Sequence, residues 1–364
     1  MAGKPTIDDI ARIAGVSKTT VSRVLNHKPD VDPVTRQRIL KIVEEQSYVP
    51  SITASGLAGG RSRLIGMLIP SFTWPNIPDL MRGIAGVIEQ TPYELVLYSI
   101  NETNPAQDRN EVINRIFATQ LTAGLLAIFP GQQASESITR LHNKGFPVVV
   151  IDDQVMQTAP WVSADNTTGA YLAVRHLLSL GHRRIAHIQG PVEYLVSRER
   201  YNGYRQALLE AGIIPDPELI VQGDFLPVSG RLCANALFDL PLEKRPTAIF
   251  AATDQMAYGV LSAAEARGLH VPQDVALVGF DDDQPSVHIR PPLTTVRQPS
   301  TEMGCRGIEL LLSMLQAARE REREPENARP IFSETTASTR ILLPTHLVVR
   351  ASCGANYSSL VPSE

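Results

Sequence analysis

The chain has 364 residues, 43% apolar and 20% charged, which excludes a disordered, collagen-like or single-module protein and leaves room for two or three domains of about 100 to 200 residues. No run approaches the roughly 18 apolar residues of a membrane span, and Met1-Ala2-Gly3-Lys4-Pro5 leads into a polar segment, so a cytoplasmic protein without a membrane partner is expected. The net charge of −4 speaks against nucleic acid until it is divided: residues 1–63 carry ten Lys or Arg against six Asp or Glu, net +4, which leaves −8 for the rest.

In chain order, Ile7, Ile10, Ile13, Val16, Val21, Val24, Ile39 and Val43 recur at helical spacing and predict a separate helical module. Thr6 with Asp9 three residues on makes a capping box for a helix that stops at Gly15, and Ser17 caps a second. Two short helices joined by a tight turn containing Gly, with Ala11 small enough for close packing, form a helix-turn-helix pattern. The second helix offers Lys18, Thr19, Ser22 and Arg23 to base edges and phosphates. Thr6, Ser17, Thr20, Asn26, Thr35 and Tyr48 add short polar groups suited to contacts with DNA. Periodicity alone also allows a small bundle with an ordinary polar face.

From residue 64 short apolar runs alternate with amphipathic stretches, as in βαβ units. Strands are predicted at 64–70, 94–100, 124–130, 147–152, 184–190, 219–225, 247–253 and 274–280, with helices such as 166–180 and 255–268 between them. Eight strands suit two doubly wound parallel sheets, and the pattern pauses at 153–163. An extended segment at 291–296, an apolar helix from Thr301 to about Ala318 and a last strand at 347–350 imply that the chain crosses between lobes more than once. Residues 319–340 read as a solvated helix end and a loop.

Ligands of open parallel sheets lie beyond the carboxyl ends of strands. Asp152 closes the fourth predicted strand, Asp254 follows the seventh and Asp281 to Asp283 follow the eighth. Carboxylates accept paired hydrogen bonds from vicinal hydroxyls and the Arg200 fork donates several, a set suited to a polyhydroxylated ligand. For each Asp alone, a surface carboxylate or helix cap is the competing reading. An enzyme, such as a sugar kinase or hydrolase, is the rival class, but the chain lacks a Gly-x-x-x-x-Gly-Lys-Ser/Thr loop, a Gly-x-Ser-x-Gly elbow and His-Glu-x-x-His. Cys233, Cys305 and Cys353 lack metal-ligand spacing, and His182 and His187 suit packing or solvated roles, so neither metal nor cofactor is expected.

The stretch Thr6-Ile-Asp-Asp-Ile-Ala-Arg-Ile-Ala-Gly-Val-Ser-Lys-Thr-Thr-Val-Ser-Arg-Val-Leu-Asn26 resembles the headpiece of the LacI/GalR (lactose repressor) family of bacterial transcription regulators. The likeness continues through Tyr48-Val-Pro50, Ala54 and Leu57 to Leu343-Pro-Thr-His-Leu-Val-Val-Arg350. It implies a two-lobed periplasmic-binding-protein-like effector domain preceded by an all-α helix-turn-helix headpiece. The implied boundaries are a headpiece at 1–49, a hinge at 50–61, a first lobe of 62–162 with 293–325 and a second of 163–292 with 326–353. The implied activity is that of a homodimeric repressor on a pseudo-palindromic operator, with Ala54 and Leu57 of the hinge helix at the minor groove. A transport receptor shares the two-lobed fold, but the headpiece and the lack of a signal peptide argue against it.

Val196-Ser-Arg-Glu-Arg200-Tyr-Asn-Gly203 is similar to the family's effector-binding arginine segment and Val278-Gly-Phe-Asp281 to the segment whose aspartate contacts effector. Gly223-Asp-Phe225 and Ser163-Ala-Asp165-Asn166 match two others, and Trp74 falls in the loop after the first strand, where an aromatic face can stack on a pyranose. With Asp152, Asp254 and Gln298 these residues complete the implied effector set. Thr253 and Asn76 depart from the Asn and the aromatic residue common in the family. The expected effector is a sugar or short oligosaccharide, and a purine or sugar-phosphate co-repressor is the alternative. The fourteen residues after Arg350 lack a leucine heptad, so coiled-coil tetramerisation is not expected.

Many members carry Arg between the hinge alanine and leucine, where this chain has Ser55-Gly56. Gly disfavours helix by about 1 kcal/mol against Ala. Amide exchange is therefore expected to show residues 51–59 unprotected in the free protein and protected on operator DNA; protection without DNA would refute this.

Overall fold

The computed structural model describes residues 5–25, 28–48, 62–69, 74–99, 109–119, 121–129, 131–152, 159–323 and 339–355. The chain divides into two compact units, residues 1–63 and 64–364.

The first unit holds α1 (Ile7–Ala14), α2 (Lys18–Leu25) and α3 (Pro33–Glu45). The expected capping box forms: Asp9 N donates to Thr6 Oγ1 at 3.3 Å and Thr6 N to Asp9 Oδ2 at 3.0 Å. Gly15 ends α1 at φ 64°, left-handed geometry that Gly adopts without a Cβ penalty. Ser17 Oγ accepts from Thr20 N at 3.1 Å and opens α2. The core is Ile10, Ala11, Ala14, Val21, Val24 and Ile39, to which α3, capped by Asp32 on Thr35 N, contributes the last. Ile13, at helical spacing with these, is 50% exposed instead, because it lies at the edge of the α1 face that Ile10, Ala11 and Ala14 bury.

The second unit contains a six-stranded parallel sheet in the order β11-β5-β4-β3-β1-β2, formed by β1 (Leu64–Ile69), β2 (Glu94–Ser99), β3 (Gly124–Ile128), β4 (Val148–Ile151), β5 (Trp161–Ala164) and β11 (Arg340–Leu343). Side chains alternate across it. Ile65, Met67, Ile69, Leu126, Ile128, Val149 and Ile151 meet α4 (Ile77–Ile88) and α11 (Ser300–Arg323) on one face. Leu68, Leu125, Ala127, Val148 and Val150 meet α5 (Arg109–Thr119) and α6 (Gly131–Asn143) on the other.

The second sheet runs β7-β6-β8-β9, from β6 (Ile185–Gln189), β7 (Ile220–Gln222), β8 (Ala248–Ala251) and β9 (Ala276–Val278). It lies between α7 (Asn166–Ser179) with α8 (Leu195–Glu210) and α9 (Pro227–Phe238) with α10 (Asp254–Ala266). An antiparallel pair, β10 (Thr295–Arg297) and β12 (His346–Val348), joins β9 through bridges at Val278 to Thr294 and Asp281 to Arg297.

The pairing moves three of the sequence-derived boundaries. Residues 163–164 and 340–343, assigned to the second lobe, lie in the first sheet, where Trp161 is in register with Arg340. Residues 293–297, assigned to the first lobe, sit with the second through β10 and β12. Parallel partners distant in sequence leave no local trace of which sheet they join.

α4 and α11 cross at glycines: a Cβ on Gly83 would stand 2.0 Å from the Thr301 carbonyl oxygen, and one on Gly304 2.2 Å from that of Leu80. Helix propensity favours Ala over Gly by about 1 kcal/mol, whereas overpacking a tight contact costs about 1–3 kcal/mol. Gly83→Ala is expected to destabilise the protein by about 1–2 kcal/mol in urea titration; stabilisation would mean that the helices are not in contact there.

Candidate nucleic-acid interface and effector site

On the first unit, Ser17, Lys18, Thr19 and Arg23 are exposed and Thr20 and Ser22 partly so, which gives α2 a polar outer face opposite buried Val21 and Val24. Lys18 Nζ pairs with Asp8 at 2.6 Å and Arg23 with Asp30 at 3.1 Å, all four side chains being more than half exposed. Exposed pairs of this kind are worth about 0–1 kcal/mol, so a phosphate or base acceptor displaces the carboxylate at little cost. Thr6 caps α1, Thr35 is partly buried at the start of α3, and Tyr48 packs partly against the core. Asn26, Ala54 and Leu57 lie outside the described residues.

In the second unit every candidate ligand residue follows the carboxyl end of a strand or lies where the chain crosses between lobes. Arg200, on α8 after β6, is 2% exposed. Its Nε donates to Asn166 Oδ1 at 3.0 Å and its Nη1 to the Ala252 carbonyl at 2.5 Å; Nη1 also lies 3.3 Å from Asp281 Oδ1, and Cζ stacks 3.8 Å from the Phe280 ring centroid. Gln298 Nε2 donates to the same Asp281 oxygen at 2.6 Å. Asn166, also buried, passes its Nδ2 to Glu199 Oε2 at 3.1 Å, so one amide links carboxylate and guanidinium. Asp152, after β4 at φ 59°, accepts from Ser163 Oγ at 2.9 Å.

Carboxylates outnumber cations here. Burial raises Glu199 to about 7, and the Asp152 charge adds to it. Burial also raises Asp281 to about 7 against the pull of Arg200, and Asp283 to about 6. Next to them is a box of four rings. Trp74 and Phe129, from the ends of β1 and β3, meet Tyr194 and Phe225, from the ends of β6 and β7, with centroids 5.2 Å (Trp74 to Phe129), 5.9 Å (Trp74 to Tyr194), 6.1 Å (Trp74 to Phe225) and 5.7 Å (Tyr194 to Phe225) apart. Rings from both lobes thus meet one another, with Phe129 held beside Asp152 by the bond from its N to the Ile151 carbonyl at 3.0 Å, and rings together with hydrogen-bonding groups are the composition of a small-molecule site.

Residues 6–51 match the family model of bacterial regulatory proteins of the lacI family, and residues 174–353 match a periplasmic binding protein-like domain. Catabolite control protein A of Priestia megaterium is 34% identical over 309 residues, 84% of this chain and 91% of that protein. The chain belongs to the LacI family. Among solved structures, a complex of the transcriptional regulator CelR with cellobiose matches with a TM-score of 0.70 and 30% identity over 96% of this chain and 99% of that one. A lac repressor dimer bound to operator and the anti-inducer ONPF matches with a TM-score of 0.81 and 28% identity over 97% and 100%. This LacI-family protein is therefore an effector-controlled, DNA-binding transcriptional regulator and not an enzyme.

Of the expected residues, the structure gathers Arg200, Asp281 and Gln298 in one hydrogen-bonded cluster and Trp74 with Phe225 in the ring box, sets Asp152 against Ser163, and gives two others partners of their own. Asp254 is fully buried, and its oxygens accept from Thr295 Oγ1 at 2.5 Å, Ser286 Oγ at 2.6 Å and Asp283 N at 2.9 Å, which ties down the 281–286 loop. Asp165 accepts from Thr168 N at 2.9 Å as the cap of α7. Asp is at home in both roles. Thr253 caps α10, and Asn76 precedes α4 without a side-chain capping bond. Asn166, Glu199, Tyr194 and Phe129 are absent from the sequence-based set. A polar residue on a predicted helix and a ring at a strand end look like surface and core until the two lobes face each other. His187 is fully buried and stacks on Tyr204 and Phe250 at 5.0 Å inside the second lobe, a packing role.

A carboxyl group raised by the fold contributes stability that is fully present below its unfolded value of about 4 and lost as pH rises through its folded value. Glu199 and Asp281 place that loss between about pH 4 and 7. The thermal midpoint is expected to fall across this window, and Glu199→Gln to flatten the fall; an unchanged slope in the variant would mean that Glu199 ionises freely.

Proposed function

We propose that this protein is a homodimeric, cytoplasmic repressor that binds a pseudo-palindromic operator through paired headpieces and is controlled by a neutral polyhydroxylated ligand, a sugar or short oligosaccharide, held in the cleft. The observation that carries the ligand class is the combination of an aromatic box with one buried guanidinium among several carboxylates. Pyranoses present apolar faces to rings and hydroxyls that donate to carboxylates. A phosphate dianion would meet Asp152, Glu199, Asp281 and Asp283 with a single, already paired Arg200 to offset them. The box of rings also accommodates a flat heterocycle, the one feature that favours a purine as the second reading. The relatives support both halves of the proposal: one solved structure contains cellobiose and another is a dimer on its operator.

The dimer has a candidate surface at the start of α9, where Leu226, Val228 and Leu232 are 56%, 62% and 60% exposed and the last two lie four residues apart on one helical face. Pairing also answers the modest charge of the headpiece, since two of them double the phosphate contacts that give affinity its salt dependence. Lobe rearrangement on ligand binding alters the spacing of the headpieces, and the ligand shifts that equilibrium only by its differential affinity for the two states.

Selection of bound duplexes from a random pool, followed by titration with sugars, sugar phosphates and purines, tests the proposal. An inverted repeat is expected, with affinity lowered about tenfold or more by Lys18→Ala or Arg23→Ala, since a lost base contact costs about 1–3 kcal/mol. A sugar is expected to change operator affinity in the wild type and not in Arg200→Ala. Operator binding indifferent to all three compound classes, or a response that survives Arg200→Ala, would overturn the effector assignment. Intact affinity and sequence preference in both headpiece variants would overturn the reading helix.

A further inference from the structure

Asp281 and Asp282 follow β9 with φ of 118° and 60°, consecutive residues with a Cβ in a region that such residues rarely occupy. The contacts that hold them there converge on the second. Asp282, with a side chain 7% exposed, accepts from Arg297 Nε at 2.6 Å on one oxygen and from Arg350 Nη2 at 2.6 Å on the other. Arg350 is fixed in turn: its Nη1 donates to the Leu293 carbonyl at 2.8 Å and its backbone N to Thr294 Oγ1 at 2.8 Å. The turn is stitched to β10 by Asp281 N donating to the Val296 carbonyl at 2.8 Å.

Each arginine stands beside a segment that passes between the lobes. Arg297 ends β10, and the chain then runs through Gln298 into α11, which packs on the first sheet. Arg350 follows β12, which comes directly after β11 at the edge of that first sheet. Their shared carboxylate is one residue from Asp281, which meets Arg200 and Gln298 in the cleft.

We propose that Asp282 is a positioning residue of the effector site: clamped between Arg297 and Arg350, it holds the strained turn that aims Asp281 at Arg200 and ties that turn to two of the segments that join the lobes. The inference rests on the reading of the cleft as the effector site. A purely structural ion pair would lower stability and leave the ligand affinity of the folded protein unchanged. A positioning clamp changes that affinity and the operator response coupled to it.

Asp282→Asn separates these cases, because Asn keeps the size and the tolerance of left-handed geometry and removes the charge. Asp282→Gly, which removes the strain together with the carboxylate, serves if the Asn variant does not fold. In the full chain without ligand, amide exchange at 281–283 is expected to accelerate about tenfold in either variant, while that of α9 and α10 stays unchanged. With cellobiose as probe and tryptophan fluorescence as readout, affinity is expected to fall about tenfold, within the usual range of coupling between sites, in protein that still binds operator. Wild-type exchange at 281–283 in both variants would overturn the proposal. So would unchanged cellobiose affinity in the variants where Arg200→Ala abolishes binding. If cellobiose fails to bind the wild type, or binds Arg200→Ala equally well, the effector reading fails and the positioning role falls with it, whereas unchanged affinity confined to the Asp282 variants overturns the positioning role alone.

Discussion

A guanidinium does not shed its charge at any pH a protein survives, so burying Arg200 obliges the surrounding chain to supply acceptors for it. Much of the second unit answers that obligation. The Ala252 carbonyl at the end of β8, the amide of Asn166 after β5, and the carboxylate of Asp281 with the face of Phe280, both after β9, come from three strands and meet at one side chain. They converge because β6, β8 and β9 lie side by side with their carboxyl ends together and β5 of the first sheet delivers Asn166 to the same place, so the site and the sheet topology are two aspects of one constraint.

Around this cation the cleft collects more negative groups than it neutralises. Glu199, Asp281 and Asp283 are all pushed upward by burial, and mutual repulsion adds to the effect. On the proposed reading, hydroxyl donors from a ligand would relieve that excess without adding charge, and the rings of Trp74, Phe129, Tyr194 and Phe225 would supply its apolar contacts. Polar recognition and aromatic cover come from both lobes, so a ligand that engages them all bears on how the lobes meet. On the proposed reading, this is how an effector would bear on DNA binding.

The headpiece and the alternation of strands and helices were legible because their signals are local. Thr6 and Asp9 cap a helix three residues apart, Gly15 ends it, and a strand covered on both faces has to be a continuous apolar run, as Leu64 to Ile69 is. The site was legible in part. Arg200, Asp281 and Phe225 are the residue types their motifs point to, whereas Asn166 and Glu199, in the same motifs, show their role only through bonds to each other and to Arg200 across more than thirty residues of sequence. Asp165 and Asp254 carry the residue type of a ligand contact and do the work of a cap and a loop anchor, a distinction made by hydrogen-bond partners and not by composition.

The opening numbers acquire their meaning on the same terms. Length, charge division and periodicity determined from the sequence alone that a small basic helical unit precedes a large acidic α/β unit, because these properties sum over neighbouring residues. Only the tertiary structure decided that Arg340–Leu343 completes the first sheet beside Trp161–Ala164, that Tyr194 and Phe129 share a box with Trp74, and that Asp282 is clamped by two arginines. Each of these joins residues distant along the chain, and such contacts are selected by burial and pairing in the folded state, for which no short stretch of sequence carries the information.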